Sequence, residues 1–283
     1  MEKNEFSYTR ALKELGVSYL GAVAQSAKFR LSKANGTLTY CLYLAPATMA
    51  GRTDKGLPIN VCPNSKYCKN FCLNGSGQNK CDELSRGVEG SLINRSRIKK
   101  TRLFYNDRDT FMRMLIHEIK TKMVLAEKLG MPFSIRLNGT SDLNPELFKD
   151  PDSGKNILEL FSNIQMYDYT KVKTRVKLMK KYPNYDLTFS YNGYNWNECE
   201  EFLNNGGKVA VVFFGDKLPK TFNGWKVIDA NGYDMRYLDE PQTICGLHYH
   251  KVASDYKVVN GKRVFVEPKS AFVVKLNDKR CVI

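Results

Sequence analysis

Between residues 132 and 229, short apolar segments alternate with stretches of helical periodicity, and this alternation constrains the fold more than any other feature. It is typical of β–α–β units, which build a parallel sheet with right-handed crossovers. Counting one earlier segment, the sequence predicts six strands, at 38–44, 132–137, 164–169, 185–191, 208–214 and 225–229. Helices are predicted at about 100–129, 145–162, 171–181 and 195–205. The chain is therefore expected to have an α/β fold.

The segments outside this alternation are assigned from local signals. Residues 17–46 read as extended segments that meet at Asn35-Gly36, a dipeptide favoured in the tight turns of β-hairpins. We therefore predict one domain over residues 1–283, with an N-terminal β extension at 1–36 and a C-terminal extension at 253–283. A long loop at 45–95 follows the first predicted strand.

Composition excludes several classes of protein. The longest purely apolar run, 209–214, is far shorter than the roughly 20 residues of a membrane-spanning helix. The first residues, MEKNE, lack the basic and apolar regions of a secretion signal, so a cytoplasmic location is expected.

The net charge of +15 favours an acidic partner, and basic residues concentrate at 95–102 and 171–181. These stretches are either solvated helix faces or a surface for nucleic acid.

Four of the eight cysteines lie in VCPNSKYCKNFCLNGSGQNKC, residues 61–81. In a reducing cytoplasm clustered thiols are more often metal ligands than disulfides. The spacing Cys62-x5-Cys68-x3-Cys72 contains no Cys-x2-Cys pair, and its x5 gap is too wide for the paired-cysteine knuckles of most structural zinc sites. It suits a [4Fe–4S] cluster better, because the four iron corners of a cubane are reached from different directions. Zinc and unmetallated thiols stay open as alternatives.

A fourth ligand has several candidates. Cys81 is nearest in sequence, Cys245 is expected to return to the same rim after the last strand, and His248 and His250 are minor options. Cys41, inside a predicted strand, and Cys199, inside a predicted helix, are expected to be small buried side chains. Cys281 gives no signal.

Polar residues follow several of the predicted strands. Ligands of parallel α/β sheets bind at the carboxyl ends of the strands, so these residues are candidates for substrate binding. They are Arg136, Asn138, Asp142, Tyr169, Lys171, Asn192 and Asp229. Arg136 and Lys171 are suited to an anionic small molecule. The alternative interpretation of each residue is a structural one, as part of a turn or a helix cap.

The order of several motifs resembles the phage Gene product 88 domain family over about residues 25–252. The motifs are LAPAT (44–48), NVCPNSKYCKNFC (60–72), SIRLNGTSD (134–142), MYDYTKVKTR (166–175) and ICGLHYHK (244–251). In layout, such proteins are similar to the radical S-adenosylmethionine superfamily. The resemblance implies a partial (β/α)6 TIM-like barrel whose cluster loop follows the first barrel strand.

Departures from these patterns limit what the resemblance implies. The loop spacing differs from the Cys-x3-Cys-x2-Cys of the radical superfamily, and RLNGTSD stands where a Gly-Gly-Glu element is expected. Both departures weigh against adenosylmethionine binding. His248 stands where the phage family has a further cysteine, so Cys245 becomes the predicted fourth ligand, with Cys62, Cys68 and Cys72.

Two functions follow from these observations. The first is an iron–sulfur protein of the infected bacterial host's cytoplasm, with the cluster in an enzymatic, structural or redox-sensing role. The alternative is a zinc-stabilised basic protein that binds nucleic acid, or a nuclease. Neither the reaction nor the substrate is predicted.

Overall fold

The computed structural model describes residues 6–24, 27–34 and 36–283. Its α-helices in these ranges are α1 (Tyr8–Leu15), α2 (Ala27–Ala34), α3 (Gly77–Gly90), α4 (Leu92–Asn106), α5 (Arg108–Lys128), α6 (Ile157–Leu160), α7 (Lys177–Lys181) and α8 (Trp196–Asn204). Its strands are β1 (Gly21–Val23), β2 (Leu38–Leu42), β3 (Phe133–Arg136), β4 (Gln165–Thr170), β5 (Tyr185–Ser190), β6 (Lys208–Phe214), β7 (Thr221–Phe222), β8 (Trp225–Asp229), β9 (Ile244–His248), β10 (Tyr256–Val259), β11 (Lys262–Phe265), β12 (Val273–Lys275) and β13 (Cys281–Val282).

Most of the strands form one large sheet. Its order is β1-β2-β3-β4-β5-β6-β9-β8-β7-β13, and β2 to β8 in this order are parallel to their neighbours. Antiparallel strands end it on both sides, β1 beside β2 and β7 with β13 beside β8. Within the described ranges the two ends do not pair with each other, so the sheet is open. The mixed α/β class with a mostly parallel sheet is confirmed, and a partial barrel stays a prediction.

The N-terminal hairpin prediction is wrong in its connection. β1 and β2 do pair antiparallel, with Gly21 opposite Leu42, but α2 lies between them. The sequence from Ala27 onward is rich in Ala, Lys, Arg and Leu, which favour helix over strand. Asn35 of the predicted turn lies outside the described residues, and Gly36 follows α2 with a positive φ of 87°.

The expected order of the last strands is also wrong. The prediction placed 225–229 as the sixth strand and Cys245 after it, whereas β9 contains Cys245 and inserts between β6 and β8. Ile244 and Cys245 are fully buried, as suits a central strand, and β8 is only half-buried. A Cβ on Gly246 would lie 2.7 Å from Val227, so glycine is needed where β8 packs against β9.

Helix boundaries differ from the prediction in several places. The helix expected at about 145–162 is reduced to a 3-10 helix, Pro145–Leu147, and the four-residue α6, because Pro and Gly residues and the Asp150 turn interrupt it. The helix expected at about 100–129 is two helices, because Asp107 breaks it with non-helical backbone and caps α5 by accepting a hydrogen bond from the Thr110 N–H. The loop expected at 45–95 contains all of α3 and the start of α4. The termination predicted at Gly130 is confirmed, since Gly130 has a φ of 62° and follows Leu129, the C-cap of α5.

The two faces of the sheet differ in polarity. One face packs against α5 and α8 through apolar side chains such as Leu42, Ile135 and Val211. At the edge of this face the buried Glu118 carboxylate accepts hydrogen bonds from Tyr8 Oη, Tyr40 Oη, Leu20 N and Gly21 N. The other face carries polar side chains and is covered by residues 230–239. It is lined by Thr39, Cys41, Ser134, Arg136, Tyr167, Tyr169, Thr188, Lys208 and Cys245.

Candidate functional site

Three half-buried thiols lie together in the loop that leaves the carboxyl end of β2. The loop is tied to the first turn of the next crossover, because Asp142 N donates to Val61 O at 2.8 Å. Cys62 Sγ accepts a hydrogen bond from Ala47 N at 3.4 Å and lies 3.7 Å from Thr140 O. The first thiol is thereby held between the beginning of the loop and the turn after β3.

Cys68 and Cys72 flank a short 3-10 helix, Lys69–Phe71. Cys72 Sγ accepts a hydrogen bond from Asn74 N at 3.5 Å. Burial raises the pKa of the Cys62 thiol to about 12, and the neighbouring Cys72 and Cys68 thiols contribute to that rise. Burial likewise raises the pKa of Cys72, and Cys68 contributes to this rise as well. Cys68 is near enough to act on the pKa of both other thiols, so the structure places three of the four predicted ligands close to one another.

Two cations lie beside this group of thiols. Arg97 and Lys171 both oppose the raised pKa of Cys72. The Arg97 guanidinium donates to Asn74 Oδ1 and stacks 4.9 Å from the ring centre of Tyr43. The main-chain carbonyl of Lys171 accepts from Asn64 of the cysteine loop at 2.7 Å. Positive charge at this position favours thiolate over thiol.

Aromatic residues of the C-terminal part of the chain cover the loop. Phe71 contacts the rings of Tyr249 and Phe272, with ring centres 6.2 Å and 6.5 Å apart. Ser254 Oγ donates to Asn70 O at 2.9 Å. The predicted C-terminal extension also supplies β12, which pairs with β6 in the main sheet. The C-terminal segment is therefore packed against the part of the loop that lies between Cys68 and Cys72.

Cys245, the predicted fourth ligand, has different neighbours. Its thiol is buried in β9, and its Sγ lies 3.4 Å from Asp239 Oδ2. Burial raises the pKa of Cys245 to about 12, Asp239 contributes to the rise, and Arg236 and Lys208 oppose it. These neighbours lie on the polar face of the sheet and not in the cysteine loop, and the role of Cys245 as a ligand stays a prediction.

The other candidates for the fourth position are dispersed. Cys81 is exposed on α3, and His248 Nδ1 lies 3.0 Å from Gly215 O. Cys41 and Cys199 are fully buried, which confirms that prediction. In the ranges 6–24, 27–34 and 36–283, no three His, Cys, Asp or Glu side chains are arranged to hold a single metal ion. The thiolates of a cubane cluster bind separate irons, so they stand farther apart than the ligands of one ion.

Four of the seven candidate substrate residues hold turns together. Asn138 donates to Asp168 through its N–H and its side chain, at 2.8 Å and 2.9 Å. Asp142 forms a buried ion pair with Arg175 and accepts from Thr170 Oγ1 at 2.9 Å. In the same way Asn192 Oδ1 accepts from Tyr194 N and Asn195 N, and Asp229 Oδ1 accepts from Asn231 N.

The other three candidates lie beside the loop thiols or on the polar face of the sheet. Lys171 is beside the loop thiols. Arg136 and Tyr169 meet on the polar face, where the guanidinium lies 4.7 Å from the ring centre of Tyr169. Arg136 Nη1 also donates to Asp234 Oδ2 at 2.7 Å. The structure thus divides the predicted rim set into scaffold residues and residues that face the thiols or the polar face.

The comparison with protein-family models decides the family. The Gene product 88 model matches residues 21–262, which is most of the chain and includes the thiol loop, the polar face and β9. The chain belongs to the Gene product 88 family. This is a family of phage gene products. No curated protein and no solved structure matches the chain. Among the residues the structure describes, no helix has the length and apolar character needed to cross a bilayer.

Two site residues of this Gene product 88 protein escaped the sequence analysis. Arg97 was counted within the basic stretch 95–102, although Asn94, Arg97, Thr101 and Phe104 recur at helical spacing on the face of α4 that is turned inward. That periodicity was the available signal. No sequence pattern indicated Arg236, because it begins a short 3-10 helix, Arg236–Leu238, whose position over the sheet depends on contacts distant in sequence.

Proposed function

We propose that this protein is an iron–sulfur protein in which Cys62, Cys68 and Cys72 bind a [4Fe–4S] cluster at the carboxyl end of the parallel sheet. The proposal is supported by the grouping of three half-buried thiols on one loop, where Cys68 is near enough to raise the pKa of both Cys62 and Cys72. Soft thiolate ligands select iron–sulfur clusters, zinc and copper(I) over hard metal ions.

The surroundings of the thiols fit a cluster. Backbone N–H groups of Ala47 and Asn74 donate to Cys62 and Cys72, and such hydrogen bonds to sulfur tune cluster potentials. Arg97 and Lys171 supply positive charge beside thiolates that carry a net negative charge. When bound, a [4Fe–4S] cluster supplies one-electron redox chemistry or, with an iron corner left open, a coordination site for a further ligand.

The ligand of the fourth iron is to be identified by experiment. Cys245 lies within a hydrogen-bonded strand, and its thiol contacts Asp239, so the proposal takes only the three loop thiols as ligands. With three protein ligands, one corner is available to an exogenous molecule. Binding of adenosylmethionine is not part of the proposal, because the loop spacing and the RLNGTSD segment differ from the radical superfamily.

We also propose that the parallel strands curve as a partial barrel around the polar face. Consecutive strands β2, β3, β4, β5 and β6 are also consecutive in the sheet, as the resemblance implies. Such curvature is supported by Asp234 and Arg236, which are only two residues apart. Asp234 pairs with Arg136 of β3, and the main-chain oxygen of Arg236 accepts from Lys208 of β6, so one short segment contacts strands that are three positions apart in the sheet. We place this iron–sulfur protein in the cytoplasm of the infected host, where reducing conditions keep the thiols available to bind metal.

The test is purification without oxygen, followed by iron, acid-labile sulfide and zinc analysis and an absorption spectrum. The expected result is a broad visible band with about four irons and four sulfides per chain. Cys62→Ser, Cys68→Ser and Cys72→Ser should each lower the iron content. Cys81→Ser is the matched control, because Cys81 is an exposed cysteine of the same sequence cluster. Cys245→Ser should retain iron; if it loses iron, Cys245 belongs to the ligand set.

The zinc and nucleic-acid alternative is supported less by the basic stretch at 95–102 than its charge alone suggests. Three of its five cations donate hydrogen bonds within the chain: Arg97 to Asn74, Lys99 to Gly16 O, and Arg102 to Ala50 O. Lys100 is buried, and its ammonium lies 4.9 Å from the ring centre of Tyr19. Stoichiometric zinc without a visible band would overturn the iron–sulfur proposal and favour the alternative.

A further inference from the structure

Buried polar atoms without a hydrogen-bond partner concentrate in one place in the part of the chain that the structure describes. They are Arg136 Nε, Tyr169 Oη, Thr188 Oγ1, Arg236 Nε and Arg236 Nη1. The last of these lies 2.9 Å from Asp239 Oδ2, close enough for an ion pair although the geometry is poor for a hydrogen bond. The other four atoms belong to Arg136, Tyr169, Thr188 and Arg236, and we call these four residues the Tyr169 patch.

The residues of the Tyr169 patch are neighbours on the polar face. Tyr169 stands opposite Thr188 in the register of β4 and β5. Arg136 lies over the Tyr169 ring at 4.7 Å from its centre. Burial raises the pKa of Tyr169 well above its ordinary value, and Arg236 and Arg136 oppose the rise. Arg236 and Thr188 are completely buried, so neither can reach bulk water.

The nearby carboxylates do not satisfy these donors. Asp234 Oδ2 accepts from Arg136 Nη1 and Tyr167 Oη, and Asp239 accepts from Tyr233 and contacts Cys245. The guanidinium Nε groups can only donate, and the two hydroxyls can donate as well as accept. Unpaired buried donors are rare in native proteins because each one loses its hydrogen bond to water. The patch therefore lacks acceptors.

We propose that the Tyr169 patch binds a small oxyanion, a carboxylate or phosphate group, enclosed between the sheet and residues 230–239. Oxyanions present several acceptors at once, and guanidinium groups match their geometry. The net charge of +15 attracts such ligands to the protein.

Residues 230–239 close the patch. Asp234 pairs with Arg136 and its N–H donates to Ser32 Oγ of α2, while Lys208 donates to the main-chain oxygen of Arg236 at 2.7 Å. Entry of the ligand therefore requires this segment to move. The site goes beyond the proposed cluster and does not rest on it, since none of its four residues is a proposed cluster ligand.

The test measures thermal unfolding of the full chain in phosphate, in acetate and in chloride at one ionic strength. We expect phosphate or acetate to raise the unfolding midpoint relative to chloride, because a ligand of the folded state stabilises it. If the unfolding midpoint rises in only one of these two salts, that salt shows whether the patch binds a phosphate or a carboxylate group. Iron content is measured on the same samples, so loss of the cluster is separated from loss of anion binding.

Two conservative variants localise the effect. Tyr169→Phe and Thr188→Val each remove one unpaired hydroxyl, so without an oxyanion they should unfold at the same or a higher temperature than the wild type. Each variant should bind the oxyanion about tenfold more weakly than the wild type does.

Arg113→Gln is the control for surface binding, because it removes an arginine whose ion pair with Asp152 is exposed. No shift in either oxyanion, as when only water fills the patch, would overturn the proposal. A shift that both variants retain in full would overturn it as well.

Discussion

Asp142 and Arg175 form a buried ion pair that joins the turn after β3 to the helical turn after β4. Asp142 also accepts hydrogen bonds from Thr170 Oγ1 and Lys171 N, both at 2.9 Å. The residue was a candidate for substrate binding, and in the structure its carboxylate holds two crossover turns together. Its N–H also fixes the cysteine loop through Val61 O.

Asp142→Ala should therefore be strongly destabilising. It leaves the Arg175 guanidinium buried without its partner, which typically costs about 3–5 kcal/mol. Glu240→Ala is the matched control, because the Lys226–Glu240 pair is exposed and should contribute less than about 1 kcal/mol. Urea denaturation gives both values. Equal losses in the two variants would contradict a structural role for Asp142.

Gly139 is packed too closely for any side chain. A Cβ at this position would lie 2.7 Å from the Tyr43 ring and 2.9 Å from Cys41 Sγ. We expect Gly139→Ala to lower the free energy of unfolding by about 1–3 kcal/mol, the usual cost of overpacking. Gly232→Ala has open space around its Cβ and should change it by less than about 0.5 kcal/mol. Equal chemical-denaturation midpoints for the two variants would refute the packing argument.

Asp168 should make stability depend on pH. Burial raises the pKa of this carboxyl from 3.8 to about 6, although hydrogen bonds from Asn138 oppose the rise. Between these values the folded protein binds more protons than the unfolded chain, so this group's contribution is full below about pH 4 and falls as the pH rises through 6.

The measurement compares the wild type with Asp168→Asn. The free energy of unfolding of the wild type relative to the variant should fall by on the order of 2 kcal/mol between pH 4 and pH 7. Above that window the difference should be constant. A difference that does not vary with pH, or one that grows as the pH rises, would contradict the assignment.

Arg97 should tune the proposed cluster. Its positive charge beside Cys72 favours the more negative, reduced state, so Arg97→Gln should lower the reduction potential of the cluster. Arg95→Gln on the exposed face of α4 is the control and should leave the potential nearly unchanged. Redox titration followed by EPR spectroscopy measures both. An unchanged potential in Arg97→Gln with full iron content would place the cluster away from this residue.

The local features of this protein follow from patterns along its chain. Alternating apolar and helical segments predicted the parallel strands from β2 to β6, and the spacing of thiols identified Cys62, Cys68 and Cys72 as a group. The burial of Cys41 and Cys199 also followed from their positions in a predicted strand and helix. These features depend on periodicity and on chain proximity, which are visible along the sequence.

Which distant segments meet depends on the tertiary structure. β9 pairs with β6, although β7 and β8 lie between them in the sequence, because the more completely buried strand takes the inner position of the sheet. Arg236 faces Tyr169 from a short 3-10 helix, and the helix face that holds Arg97 is turned toward Cys72. Such contacts depend on the total burial of apolar surface and the pairing of buried polar groups over the whole fold. Local sequence patterns therefore do not specify them.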